Sequence, residues 1–220
     1  DKLYINTAGI GFLKYPGPSP RAIREGDAVL VDDVARSSRS LARRHAATTV
    51  LTDLGHVALL PLSSIAPWGW NSSLRTTLLR AGVAPSLLPT EAQIADIRQL
   101  SHRRLAAELL PRLREEDTVG AAYGCESTDH VDYLLAHYGQ LVLKAPWSSA
   151  GRGVRFVNTH TAASTHIQGW LRNVLLRQGS VMAEPYYKKV KDFAMEFTIG
   201  QDGTARMLGL SLFHTRNGAY

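Results

Sequence analysis

The chain has 220 residues, 45% hydrophobic and 20% charged, an ordinary globular composition that excludes disorder and has room for one large domain or two small ones. A single cysteine, Cys125, rules out an internal disulfide, and no apolar run reaches the roughly 18 residues a membrane-spanning helix needs. The start, DKLYINTAGIG, lacks a secretory leader pattern, so a cytoplasmic setting is expected with no membrane partner. The net charge of +6 is scattered, and its main cluster, Arg36, Arg39, Arg43 and Arg44, has no interleaved aromatics. That disfavours nucleic acid and fits a solvated or anion-facing surface.

In chain order, KLYIN and DAVLVDD read as strands, separated by the proline-rich connector YPGPSP, which cannot lie inside a helix. SSRSLARRHAA reads as helix, TTVLTD as strand and HVALLPL as a further strand. NSSLRTTLLRAG carries a capping asparagine, helical apolar spacing and a closing glycine. TEAQIADIRQLSHRRLAAELLPRL gives one or two helices capped at Thr90, and DTVGAAYGCEST a linker or short strand. STDHVDYLLAHYG is a helix capped by Ser127 or Thr128 and stopped by Gly139, followed by the strand QLVLKAP. VRFVN is a strand, TAASTHIQGWLRNVLLRQG a helix with Ile167, Trp170 or Leu171, Val174 and Leu175 on one face, and SVMAEPYY a strand running into a bend. DFAMEFTIGQDGTARMLGLSLF then forms a hairpin around Asp202-Gly203. Strands alternating with helices define an α/β protein.

The chemistry concentrates in KAPWSSAGRGVRF. Lys144 ends a strand and is followed by small residues whose backbone N–H groups can approach phosphate oxygens closely. The order strand, lysine, loop, strand matches neither a Walker A loop nor a dinucleotide fingerprint, and is closer to a glycine-rich flap over phosphates. Taken alone, a plain hairpin turn fits equally well. One helix downstream, Glu184 at a strand end, two aromatics and Asp192 could give a nucleotide an apolar slot, edge contacts and a carboxylate for ribose. The eight histidines form no HExxH or paired Cys/His pattern, there is no GxSxG, and PWGW reads as a packing anchor.

Taken together, LVLKAPWSSAGRGV, the intervening helix, VMAEPYY and DFAMEFTI resemble the core of the ATP-grasp superfamily, typified by carboxylate–amine ligases such as D-alanine–D-alanine ligase. PWGW, LPTEAQIADIRQLSHRRLA and GAAYGCES are similar to an uncharacterised bacterial group of that superfamily. The resemblance implies an N-terminal α/β pre-ATP-grasp domain over residues 1–95, a helical lead-in and first lobe over 96–183, and a second lobe begun over 184–220 and truncated. It implies ATP as ligand: Lys144 at the α-phosphate, and Ser148, Ser149, Gly151, Arg152 and Gly153 over the β- and γ-phosphates. Glu184 and Tyr187 would sit at adenine and Asp192 near the ribose. His102 stands where the family has a second phosphate-contacting lysine, with Arg103 an alternative stand-in, and His214 and Arg216 are candidates for facing the phosphates.

The family's Mg²⁺-binding carboxylates, an Asp and an ExN pair on later strands, have no counterpart among the 220 residues, so no metal ligand is assigned. The expected chain is either a piece of a longer enzyme or a form that binds without catalysing. The implied activity is an ATP-dependent ligase acting on a small-molecule or peptide carboxylate. A small-molecule kinase and a non-catalytic nucleotide-binding module stand beside it, and oligomeric state is open.

Overall fold

The computed structural model describes residues 2–5, 28–30, 49–51, 54–67, 69–148, 153–200 and 202–213. The chain divides into two compact units, Asp1–Leu100 and Ser101–Tyr220. The expected helix SSRSLARRHAA lies outside the described residues.

The first unit is built on a parallel sheet of β1 (Lys2–Ile5), β2 (Ala28–Leu30), β3 (Thr49–Leu51) and β4 (Ser64–Pro67), in the order β3-β2-β1-β4. The register runs Leu3 to Ala28, Ala28 to Thr49 and Leu3 to Ile65. Parallel neighbours need crossovers, and this order, stepping outward on both sides of β1, is that of a doubly wound sheet. The segment 56–62, expected as a strand, is instead a 3₁₀ turn at Val57–Leu59 followed by Pro61. A short apolar run does not declare its period, and only Val57 of that turn is buried while Leu59 is exposed.

Helix α1 (Ser72–Arg80) starts where the Asn71 side chain accepts a hydrogen bond from Leu74 N–H at 2.8 Å, and it buries Leu74 and Leu78. Helix α2 (Glu91–Leu100) opens on a reciprocal cap. Gln93 N–H donates to Thr90 Oγ1, and Thr90 N–H donates to Gln93 Oε1. Arg75 and Ser72 tie the two helices through Glu91. Trp70 packs against this unit's core of Ala28, Val57, Ile65, Leu74, Leu78, Val83 and Leu88.

The second unit begins with helix α3 (Arg103–Leu113), so the long helical stretch resolves into two helices broken at residues 101 and 102. After a short strand, β5 (Tyr123–Cys125), comes helix α4 (Thr128–Tyr138), capped by Ser127 and stopped at Gly139. Strands β6 (Gln140–Lys144) and β7 (Val154–Asn158), helix α5 (Thr165–Gln178) and strand β8 (Val181–Pro185) follow. The four strands form an antiparallel sheet in the order β5-β8-β6-β7. Strand alternation sends Leu141, Leu143, Val157, Val181 and Ala183 to one face, where Leu134 and Leu135 of α4 and Ile167, Leu171 and Val174 of α5 cover them. Each fully buried leucine contributes roughly 1.5–3 kcal/mol relative to exposure.

The chain closes with the hairpin β9 (Asp192–Ile199) and β10 (Ala205–Phe213), bulged between Met207 and Gly209. One face pairs Phe193 with Leu212, Met195 with Leu210 and Phe197 with Met207; the other carries Asp192, Glu196, Thr198 and Arg206.

Candidate nucleotide site

With the helices covering one face of the β5-β8-β6-β7 sheet, the opposite face carries Val142 and Lys144 from β6 and Met182 and Glu184 from β8. The register pairs Val142 with Glu184 and Lys144 with Met182, which makes Lys144 and Glu184 diagonal neighbours on that face. Their side chains form an ion pair, Lys144 Nζ to Glu184 Oε2 at 2.5 Å, with about a quarter to a third of each exposed. An ammonium has three N–H donors, so a lysine held in this way keeps donors for a further anion.

Beyond Lys144 the chain turns through a tight neck. Ala145 N–H donates to Gly153 O at 2.8 Å, and Ser148 Oγ donates to Ala145 O at 3.2 Å. A methyl group at Gly153 would overlap the Ser148 side chain and press on Ala145 Cβ, so only glycine lets the two arms approach this closely. Trp147 N–H donates to Gln178 Oε1 at 3.0 Å, which fastens the neck to the end of α5. On the other side stands the N-terminus of α3. The Arg103 guanidinium donates from Nε to Ala145 O at 3.1 Å and from Nη2 to Ser148 O at 2.7 Å.

A cleft of about 380 Å³ opens beside this arrangement. Arg103, Met182, Glu184 and Tyr187 form its polar and bulky side, and Ala106, Ala107 and residues 120–122 its small-residue side. The structure thus brings Lys144, Ser148, Gly153, Glu184 and Tyr187 of the expected site to one sheet face, its neck and its cleft.

His102 is placed differently. Its Nδ1 accepts from Arg104 N–H at 3.0 Å, capping α3, and its ring meets the Trp147 ring edge-on at 4.5 Å. Asp192 begins β9, where its carboxylate accepts from Lys189 Nζ at 2.6 Å, and it is not among the residues lining the cleft. Ser149, Gly151, Arg152, His214 and Arg216 lie outside the described residues.

Sequence reasoning missed the small-residue wall and the grip of Arg103 on the neck. The two-alanine step Ala106-Ala107 and the run Gly120-Ala121-Ala122 were the available signals. At the sheet's edge the Tyr123 and Tyr138 hydroxyls lie 2.5 Å apart; that hydrogen bond, then burial, hold the Tyr123 phenol above its ordinary value. Among the described residues no group of three or more His, Cys, Asp or Glu side chains is arranged to hold a metal ion. No described helix is long and apolar enough to cross a membrane.

The fold, a parallel α/β unit followed by an antiparallel sheet and a hairpin, is similar to that of solved ATP-grasp enzymes. Three solved structures carry the comparison. The ADP complex of N5-carboxyaminoimidazole synthetase from Staphylococcus aureus matches 99% of this chain and 56% of its own, at 15% identity and a TM-score of 0.57. Biotin carboxylase from Campylobacter jejuni, complexed with β-γ-ATP, matches 95% of this chain and 50% of its own, at 13% identity and a TM-score of 0.58. The biotin carboxylase domain of Hydrogenobacter thermophilus 2-oxoglutarate carboxylase, with MgADP and bicarbonate, matches 95% and 49%, at 12% identity and a TM-score of 0.57. The chain spans about half the length of these structures. No family model and no curated protein matches the sequence.

Proposed function

We propose that this protein binds ATP on the Lys144–Glu184 face and belongs to an ATP-dependent ligase that joins a carboxylate to an amine or thiol. The observation that carries the reading is the Lys144–Glu184 pair, half-buried on the sheet face opposite the helices, with Glu184 lining the cleft and Lys144 directly before the neck. Three neighbours of the same fold captured with ADP, MgADP or β-γ-ATP support it.

In this reading the ammonium of Lys144, oriented by Glu184, meets the α-phosphate. Ser148 and Gly153, with Ser149, Gly151 and Arg152 of the intervening stretch, face the β- and γ-phosphates. Glu184 and Tyr187 flank adenine and Asp192 serves the ribose. His102 caps the helix that faces the neck, and His214 and Arg216 are the candidates for the transferred group.

A carboxylate oxygen attacks the γ-phosphorus, the bond from that phosphorus to the β–γ bridging oxygen breaks, and ADP leaves. The amine or thiol then attacks the acyl carbon, phosphate departs, and the nucleophile loses its proton. The protein's part is positioning and charge neutralisation. The neighbour holding MgADP and bicarbonate supports a small acid as phosphoryl acceptor. Magnesium is the ion the resemblance leads one to expect; among the described residues no group of three or more His, Cys, Asp or Glu side chains is arranged to hold it.

Calorimetric titration with ATP tests the site. Lys144→Ala is expected to weaken binding at least about tenfold, the equivalent of roughly 1.4 kcal/mol, while circular dichroism shows the fold retained. Unchanged affinity in that variant would make the assigned site wrong. ADP release on mixing ATP with a carboxylate and an amine tests the ligase step, and ATP binding without any turnover would leave a nucleotide-binding module.

A further inference from the structure

We infer that Arg103 is a positioning residue that clamps the neck between Lys144 and the phosphate-facing segment, and that it supports triphosphate binding through that neck rather than as a phosphate ligand. The inference rests on the nucleotide reading of the site for its functional half and on geometry alone for its structural half.

The geometry is specific to a guanidinium. Arg103 is the first residue of α3, and its side chain spans two carbonyls three residues apart, those of Ala145 and Ser148, from two different nitrogens. Nη2 also reaches Ser148 Oγ at 3.4 Å, and the Arg103 backbone N–H points at Pro146 O at 3.4 Å. A planar fork can hold both carbonyls at once; the lysine ammonium is a single point with three donors and cannot span them in the same way.

The neck has little slack for an alternative. Ala145 O accepts from both Arg103 and Ser148, and Gly153 closes on Ser148 so tightly that a methyl group does not fit. Losing the fork therefore frees Ser148 and the turn that fixes the direction of Lys144. Of the residues proposed at the base and ribose, Glu184 is on β8, Tyr187 follows that strand and Asp192 begins β9. Arg103 lines the cleft with Glu184 and Tyr187, and its guanidinium hydrogen bonds go to Ala145 and Ser148 of the neck.

Two arms of one experiment compare wild type with Arg103→Lys. In hydrogen–deuterium exchange without nucleotide, peptides covering 144–148 and 153–158 are expected to exchange at least about fivefold faster in the variant, with peptides of α4 and of β9 unchanged. Uniform acceleration across the second unit, or none at the neck, overturns the clamp. In calorimetry, ATP is expected to bind about tenfold more weakly to the variant, and adenosine within twofold of wild type. An equal loss for both ligands makes Arg103 merely structural, and a loss for ATP without faster exchange at the neck makes it a direct phosphate contact. Wild-type protein that binds neither ligand overturns the nucleotide reading, and the exchange arm then judges the clamp by itself.

Discussion

Cys125 ends β5 with no exposed surface, and burial pushes its thiol up to about 11. In the unfolded chain the same thiol titrates near its ordinary value of about 8.5. Between those values the folded state holds a proton that the unfolded state has released, so folding stability falls as pH rises. Below about pH 8 this group has no effect. By pH 11 the loss is on the order of 2–3 kcal/mol. Cys125→Ser is expected to remove that alkaline component from a denaturant series run between pH 7 and 10.5. Because Cys125 is the chain's only cysteine, a disulfide reagent at pH 8 should react with the protein only as fast as it unfolds. Reaction of native protein at the denatured rate would contradict the burial.

The same scale shows what the sequence could disclose about the site. Lys144 and Glu184 were legible as candidates because Lys144 ends β6 and Glu184 is next to last in β8, each a charge at the end of an otherwise apolar run. Arg103 was visible only as a stand-in for a phosphate ligand. Its partners lie 42 and 45 residues away, and nothing in a linear pattern encodes which carbonyls a long side chain will find.

At the scale of elements, α4 and α5 end alike, with Gly139 at φ 74° and Gly179 at φ 76°. In both, the glycine N–H donates to the carbonyl four residues back, closing the last turn. A Cβ added at either position meets nothing within 4 Å, so an alanine there would be penalised by backbone conformation alone. Gly179→Ala is expected to destabilise the second unit by about 1–2 kcal/mol, with Gly179→Asn milder, as measured by urea denaturation. A cost near zero would mean the left-handed stop is not what ends α5. Such stops explain why helix limits were readable: capping side chains and closing glycines act over one turn. Residues 56–62 failed for the complementary reason. Four apolar residues bounded by His56 and Pro61 satisfy a strand and a turn equally, and it is packing of Val57 into the first core that selects the turn.

At the scale of the molecule, the described residues form two cores that share no residue. Leu74 and Leu78 anchor the first, around the parallel sheet, and Leu141, Leu143 and Leu171 the second, under α4 and α5. Each cluster is confined to one of the two compact units. Removing a buried leucine side chain costs about 2–5 kcal/mol, because the transfer energy is lost and a cavity remains. If each unit's stability resides in its own core, that loss stays local. Leu78→Ala is therefore expected to accelerate amide exchange throughout α1 while leaving α4 and α5 near their wild-type rates. Leu141→Ala is expected to do the reverse. On the proposed nucleotide reading the same pair of variants should act differently on ATP: Leu141→Ala is expected to loosen the sheet that carries Lys144 and Glu184 and to weaken binding, whereas Leu78→Ala leaves the residues of that face untouched. Equal acceleration of both units by either substitution would show one cooperative body, in which case the division seen in the chain's packing is not a division in its energetics.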